Sequence, residues 1–144
     1  MRFGTRLNDR LSTAGQPSEE QFVNLPLEGF QRVIDVRPVA EDHGFDEPAK
    51  ASSAGLEYLV LPIATEADLT LDNVRTFDQW LAHPLQPKTL VHCASSNRVG
   101  ALLALRAGWL QGSSAQAALD IGRAAGLKSL EPAVGAALAC VHHE

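Results

Sequence analysis

The chain reads as a single α/β domain: a mainly parallel central sheet of about four to five strands flanked by helices. Three observations predict it. Short β-branched runs alternate with helical patterns through the first two-thirds of the 144 residues, the order that builds βαβ units and a parallel sheet. The last third carries three helical patterns with no strand between them, expected to cover one sheet face. Finally, 45% hydrophobic against 20% charged residues suits one ordinary core, and no repeat, low-complexity tract or linker divides residues 1–144.

The elements follow in order. Residues 10–15 alternate weakly and predict a first, edge strand leading into the turn Gly15-Gln16-Pro17. Ser18 is placed to cap a short helix with acidic first-turn residues Glu19 and Glu20, ending near Pro26. The run Phe30–Val36, bounded by Gly29 and by Arg37-Pro38, is β-branched and predicts a buried strand. The acidic stretch from Val39 to Pro48 reads as a solvated loop, with His43 expected at the surface. A helix from Pro48 to Ala54 is closed by Gly55. Leu56–Ile63 follows as a strand apolar enough to be central. Thr70 caps a helix over 71–82, whose Val74, Phe77, Trp80 and Leu81 recur at helical spacing. Residues 88–92 form the strand that ends at Cys93. Apolar residues on nearly every side of 99–110 predict a helix packed against the sheet. Helices over 115–125, capped by Ser114, and 131–142 complete the chain.

Composition excludes several classes. A net charge of -5 leaves no surplus of Lys and Arg for phosphate backbones or anionic membranes, so neither nucleic acid nor membrane is expected as a partner. The N-terminal residues lack the apolar core of a secretory signal, and no apolar run is long enough to span a bilayer, which predicts a cytoplasmic location. Cys93 and Cys140 are too few for a disulfide framework or a zinc pattern, and His142-His143 do not share a helix face; no metal and no cofactor is expected.

The chemistry concentrates at Thr89–Gly100. A buried strand stops at Cys93, four small or turn-forming residues follow (Ala94, Ser95, Ser96, Asn97), and Arg98 opens an apolar helix. Backbone amides at a helix start, the helix dipole and a planar guanidinium would together cradle an anion around the thiol. Such surroundings lower a cysteine pKa from about 8.5 to between about 3.5 and 7.5. His92 would orient the thiolate through its ring and carbonyl. Cys140, in an alanine-rich pattern with no basic neighbours, reads as a core residue. Arg37 and Glu41 follow a parallel strand, at the end where α/β sheets build their crevices, and are candidates to support the site.

His92-Cys93 followed by Arg98 resembles the signature loop of cysteine-dependent tyrosine and dual-specificity phosphatases. More specifically, Ala14–Ser18, Gly29–Pro38 with Glu41, and Gly55–Tyr58 together with the loop resemble the phosphatase-like domain found beside beta-lactamase-like hydrolases, over most of residues 10–110. The resemblance implies a dual-specificity-phosphatase-like fold, attack of Cys93 on a phosphomonoester, a phosphocysteine intermediate, Arg98 on the phosphoryl oxygens and a general-acid aspartate upstream. Asp68 is the candidate acid, with Glu66 and Asp72 as rivals. Gln16 lies in a matching turn without an assigned role.

Two features depart from that pattern. Four residues separate Cys93 from Arg98 where the phosphatases have five, and Val99 stands where they carry a serine or threonine. The shorter loop is similar to that of rhodanese-type sulfurtransferases, which carry a persulfide on the cysteine. The sequence therefore predicts a cysteine-dependent phosphatase acting on a phosphorylated small molecule or protein. The alternatives are a sulfurtransferase supplied by a sulfur donor and a non-catalytic anion-binding module.

Overall fold

The computed structural model describes residues 4–38 and 40–139. Its sheet has five strands: β1 (Thr5–Arg6), β2 (Leu11–Ala14), β3 (Arg32–Asp35), β4 (Glu57–Val60) and β5 (Thr89–His92), in the order β1-β2-β5-β3-β4. All pairs are parallel except β1 with β2, an antiparallel edge. Two strands differ in place from expectation. β2 is interior, because the short strand β1, unmarked by any apolar pattern, covers its outer side. β4 is an edge strand: it pairs only with β3, and the fully buried end of its apolar run, Leu61 and Ile63, lies beyond the paired residues and drops into the core.

Helices lie on both faces, as parallel strands require. On one face, α1 (Glu19–Val23), a 3-10 turn (Leu25–Glu28) and α2 (Glu47–Ala54) pack Phe22, Leu25 and Ala51 against Val33 of β3 and Leu90 of β5. On the other, α3 (Leu71–Leu81) and α4 (Asn97–Leu110) pack Phe77, Leu102 and Leu105 against Ile34 and Val91. Adjacent residues of β3 and β5 thus serve opposite cores, the period-two alternation of a pleated strand. Of the three C-terminal helices, α4 takes the sheet, while α5 (Ala115–Ala124) and α6 (Glu131–Ala139) pack on α4 and on each other. Of the three, α4 is the one buried on nearly every side, as a position between sheet and helices requires. The expected continuation to His142, together with Cys140 and His143, lies outside the described residues.

Local chemistry explains the boundaries. Ser18 and Gln21 form a reciprocal capping box on α1, and Asp46, Thr70 and Ser114 cap α2, α3 and α5 through side-chain oxygens. The helix α4 has no such cap: its preceding residue, Ser96, is left-handed with φ +68°. Among the described residues no helix is long and apolar enough to cross a membrane.

Candidate active site

Three parallel strands end side by side at Ala14, Asp35 and His92, and the loop from Cys93 to Arg98 rises from the middle one. Cys93 is 1% exposed, held by its amide donating to the Ala14 carbonyl at 3.3 Å. The Gln16 amide donates to the Ala94 carbonyl at 3.1 Å, fastening the start of the loop to the turn after β2. On its far side the loop is fastened to the α5–α6 connection. The Ser96 hydroxyl donates to the Ala125 carbonyl at 2.5 Å, and Asn97 Oδ1 accepts from the Lys128 and Leu130 amides while Nδ2 donates to Ser129 Oγ. Gly126 makes this contact feasible, since a Cβ there would lie 2.6 Å from that of Ser96.

The consequence is a ring of free donors. No amide from residue 94 to 99 donates to a protein acceptor among the described residues; the next amide, that of Gly100, donates to the Ser96 carbonyl. A left-handed residue at the start of a 14-residue helix is a geometry in which successive amides can turn toward one anion. The side chains of Ser96 and Asn97 anchor the loop rather than line it.

Arg98 is half of a tight pair. Its Nη1 and Nη2 donate end-on to the two oxygens of Glu41, both at 3.0 Å, and Nη1 also donates to the Ile63 carbonyl at 2.7 Å. Glu41 Oε1 also accepts from Arg37 Nε at 2.9 Å. Hydrogen bonding from Arg98, opposed by burial and aided by Arg37, holds the Glu41 carboxyl down at about 2. Glu41 in turn raises the Arg98 pKa against desolvation, with Cys93 and Asp35 adding to it. The side edge of the guanidinium, Nε and the second hydrogen of Nη2, has no partner among the described residues. Glu41 thus orients Arg98 and leaves a second fork for a ligand.

Behind the loop lies a buried polar network that sequence reading missed. His92 Nε2 donates to Glu47 Oε2 at 2.5 Å and lies 3.8 Å from Asp35 Oδ1; all three side chains are fully buried. His92 Nδ1 is 3.4 Å from the Cys93 carbonyl. Asp35 is further engaged by the Arg37 amide, the Tyr58 hydroxyl and His43 Nε2, the last at 2.8 Å. Gln16 has a role here, donating to Glu47 Oε1 and accepting from Arg37 Nη1. Burial would raise the Glu47 carboxyl, but the hydrogen bonds from His92 and Gln16 outweigh it and the net shift is downward. Burial, then Asp35, pushes the Tyr58 phenol up. His43 is not a surface residue: its ring is 7% exposed, and both nitrogens face acceptors, Asp35 and the Glu41 carbonyl. One local signal was available, a carboxylate placed inside the apolar run of β3.

Asp35, Glu47 and His92 hold their ligand atoms within 4.8 Å of one another, and among the described residues they are the group with metal-site spacing. Each atom already has a hydrogen-bond partner in the network. The candidate acids are dispersed. Asp68 Oδ2 accepts from the Ala64 and Thr65 amides, capping the 3-10 turn Glu66–Asp68, and leaves Oδ1 free. Its loop meets the site through the Ile63 carbonyl on Arg98. Glu66 and Asp72 are exposed.

The fold is shared with solved phosphatase structures. A proposed phosphatase (DUF442) from Shewanella putrefaciens superposes with a TM-score of 0.72 at 23% identity, over 95% of this chain and 87% of that one. P. aeruginosa TpbA, in complex with pTyr, gives 0.63 at 20% identity over 92% and 79%. In sequence, the chain is similar to the beta-lactamase hydrolase-like protein of Agrobacterium fabrum, with 34% identity over 108 residues, 69% of this chain. It spans about a quarter (24%) of the length of that relative. No family model matches.

Proposed function

We propose that the protein is a cysteine-dependent hydrolase of phosphomonoesters. The observation that carries this reading is the unsatisfied donor set around Cys93: the amides of residues 94 to 99 and the free side fork of an Arg98 pre-oriented by Glu41. Donors fixed before substrate arrives stabilise charge developing on phosphoryl oxygens without reorganisation. Cys93 Sγ attacks phosphorus, the ester P–O bond breaks, and the departing oxygen takes the proton of the Asp68 carboxyl. Water then attacks the phosphocysteine and gives a proton to the Asp68 carboxylate as the S–P bond breaks, releasing inorganic phosphate and restoring the thiolate. The substrate is a phosphorylated small molecule or protein side chain. Turnover of an aryl phosphate, inhibited by vanadate and abolished in Cys93→Ser and Arg98→Ala, is the expected result. Purified protein that neither turns over the phosphate nor binds vanadate overturns the proposal.

A second reading, sulfur transfer, is favoured by a different observation. The loop has one amide fewer than the phosphatase signature, and Val99, fully buried, offers no hydroxyl to assist water at a phosphocysteine. Here Cys93 attacks the outer sulfur of a persulfide or thiosulfonate donor, the donor S–S bond breaks, and the added sulfur stays on Cys93 until a thiol accepts it. Mass spectrometry after thiosulfate or glutathione persulfide then shows one added sulfur on Cys93; an unmodified thiol excludes it.

A further inference from the structure

The opposite end of the sheet from Cys93 carries a second concave surface. Asn8, Arg10, Arg32, Gln86, Thr89 and Arg106 contribute to a cleft of about 160 Å³ where β2, β3 and β5 begin. Three guanidiniums and two primary amides line it, and no carboxylate does, in a chain whose net charge is -5.

Arg32 is the key residue. Its side chain is only 4% exposed; Nε donates to Thr89 Oγ1 at 3.0 Å and Nη2 to the Trp80 carbonyl at 2.8 Å. These fix the guanidinium in place and leave Nη1 without a partner among the described residues. The nearest carboxylate in an ion pair with it, Glu57, stands 4.0 Å from Nε. Desolvation lowers the Arg32 pKa, and Glu57 only partly offsets this. Arg106 gives Nε to Asp78 at 2.8 Å and keeps both Nη groups, while the Arg10 guanidinium has no hydrogen bond or ion pair among the described residues. A buried cation with donors to spare, beside two more cations in a small polar cleft, is an arrangement completed by an anion.

We propose that this cleft binds a small polyvalent oxyanion of the phosphate type, at a site separate from the Cys93 loop. Thr89, in the cleft, and Cys93 are four residues apart along one extended segment, about 13 Å, too far for one small anion to bridge.

Calorimetry tests this with pyrophosphate and citrate as probes, on protein carrying Arg98→Ala so that the Cys93 loop has lost its guanidinium. The expected result is one saturable pyrophosphate site that survives Arg98→Ala, persists in about 150 mM NaCl, and weakens at least tenfold when Arg10→Gln and Arg106→Gln are added. Both are surface-reaching side chains, and circular dichroism checks that the fold is kept. Amide shifts of Gln86 and Thr89 on titration would support the location. No saturable binding after Arg98→Ala, or binding indifferent to the Arg10 and Arg106 changes, overturns the site. Loss of binding at the higher salt marks an adventitious ion only and also overturns it. Citrate binding as tightly as pyrophosphate overturns the phosphate-type assignment. None of these outcomes depends on whether Cys93 hydrolyses a phosphate.

Discussion

Glu47→Ala is the most informative perturbation of the network beneath the loop. Glu47 is fully buried and makes two short hydrogen bonds, 2.5 Å to His92 and 2.7 Å to Gln16. Removing one member of a buried pair leaves the other uncompensated and costs about 3–5 kcal/mol. That is a large share of the roughly 5–15 kcal/mol that stabilises a domain, and in a chain of this size it lowers Tm by roughly 10–17 °C. Glu47→Gln keeps the shape and one acceptor and should cost less, about 1–3 kcal/mol. The folded-state pKa of Glu47 lies below its ordinary value, so the ionised carboxylate contributes stability fully above the unfolded pKa, near 4.5. That contribution is lost as pH falls through the lowered folded value. Urea unfolding at pH 7 should therefore show a shifted midpoint with an unchanged slope, and the gap between wild type and Glu47→Gln should narrow below about pH 4.5. A Glu47→Ala variant within about 1 kcal/mol of wild type at pH 7, or a gap to Glu47→Gln that stays constant into acid, refutes the reasoning from the buried Glu47 carboxylate.

Three further outcomes are expected. Glu41→Gln should lower kcat/KM for an aryl phosphate by about 10–100-fold through misorientation of Arg98. Because the Glu41 carboxyl is held at about 2, the defect should be the same at every pH from about 4 to 8, and a pH-dependent defect in the kcat/KM profile would contradict it. Asp68→Asn should cost about 1 kcal/mol or less as a weakened cap. If Asp68 donates the leaving-group proton, kcat falls about 10²–10⁴-fold for an alkyl phosphate and far less for p-nitrophenyl phosphate; equal losses on both substrates would remove Asp68 from that role. Gly100→Ala places a Cβ 2.4 Å from the Leu127 amide nitrogen and 2.7 Å from the Gly122 carbonyl oxygen. Backbone cannot give way as a side chain can, so about 3 kcal/mol or more should be lost in chemical denaturation.

Much of the fold was legible because its signals are local. Thr70 and Ser114 cap where expected, Gly55 closes α2 in the left-handed conformation, and β3 and β5 fall inside the apolar runs read as strands. β1 was missed because a two-residue exposed strand has no hydrophobic period to read. The ends of the sheet were misjudged for a related reason: strand order depends on which neighbours pair, and apolar content alone does not distinguish an edge covered by helices from a centre. His43 and Glu47 were read as part of a solvated acidic loop because their polarity is visible in sequence. The cover supplied by Tyr58, Gln16 and the ends of β3 and β5 is not.

The chain by itself determined the strand-loop-helix around Cys93, since an apolar strand, small loop residues and an apolar helix follow one another within a dozen positions. It also put a cysteine and an arginine at the two ends of one loop. Tertiary structure decided what those groups face. Glu41 meets Arg98 across 57 residues and Glu47 meets His92 across 45, and only the convergence of β2, β3, β5 and α2 brings them together. The physical reason is that periodicity and turn propensity act over a few residues. The charge state and orientation of a side chain depend on solvent exclusion and on partners from other elements, which exist only once the sheet has assembled.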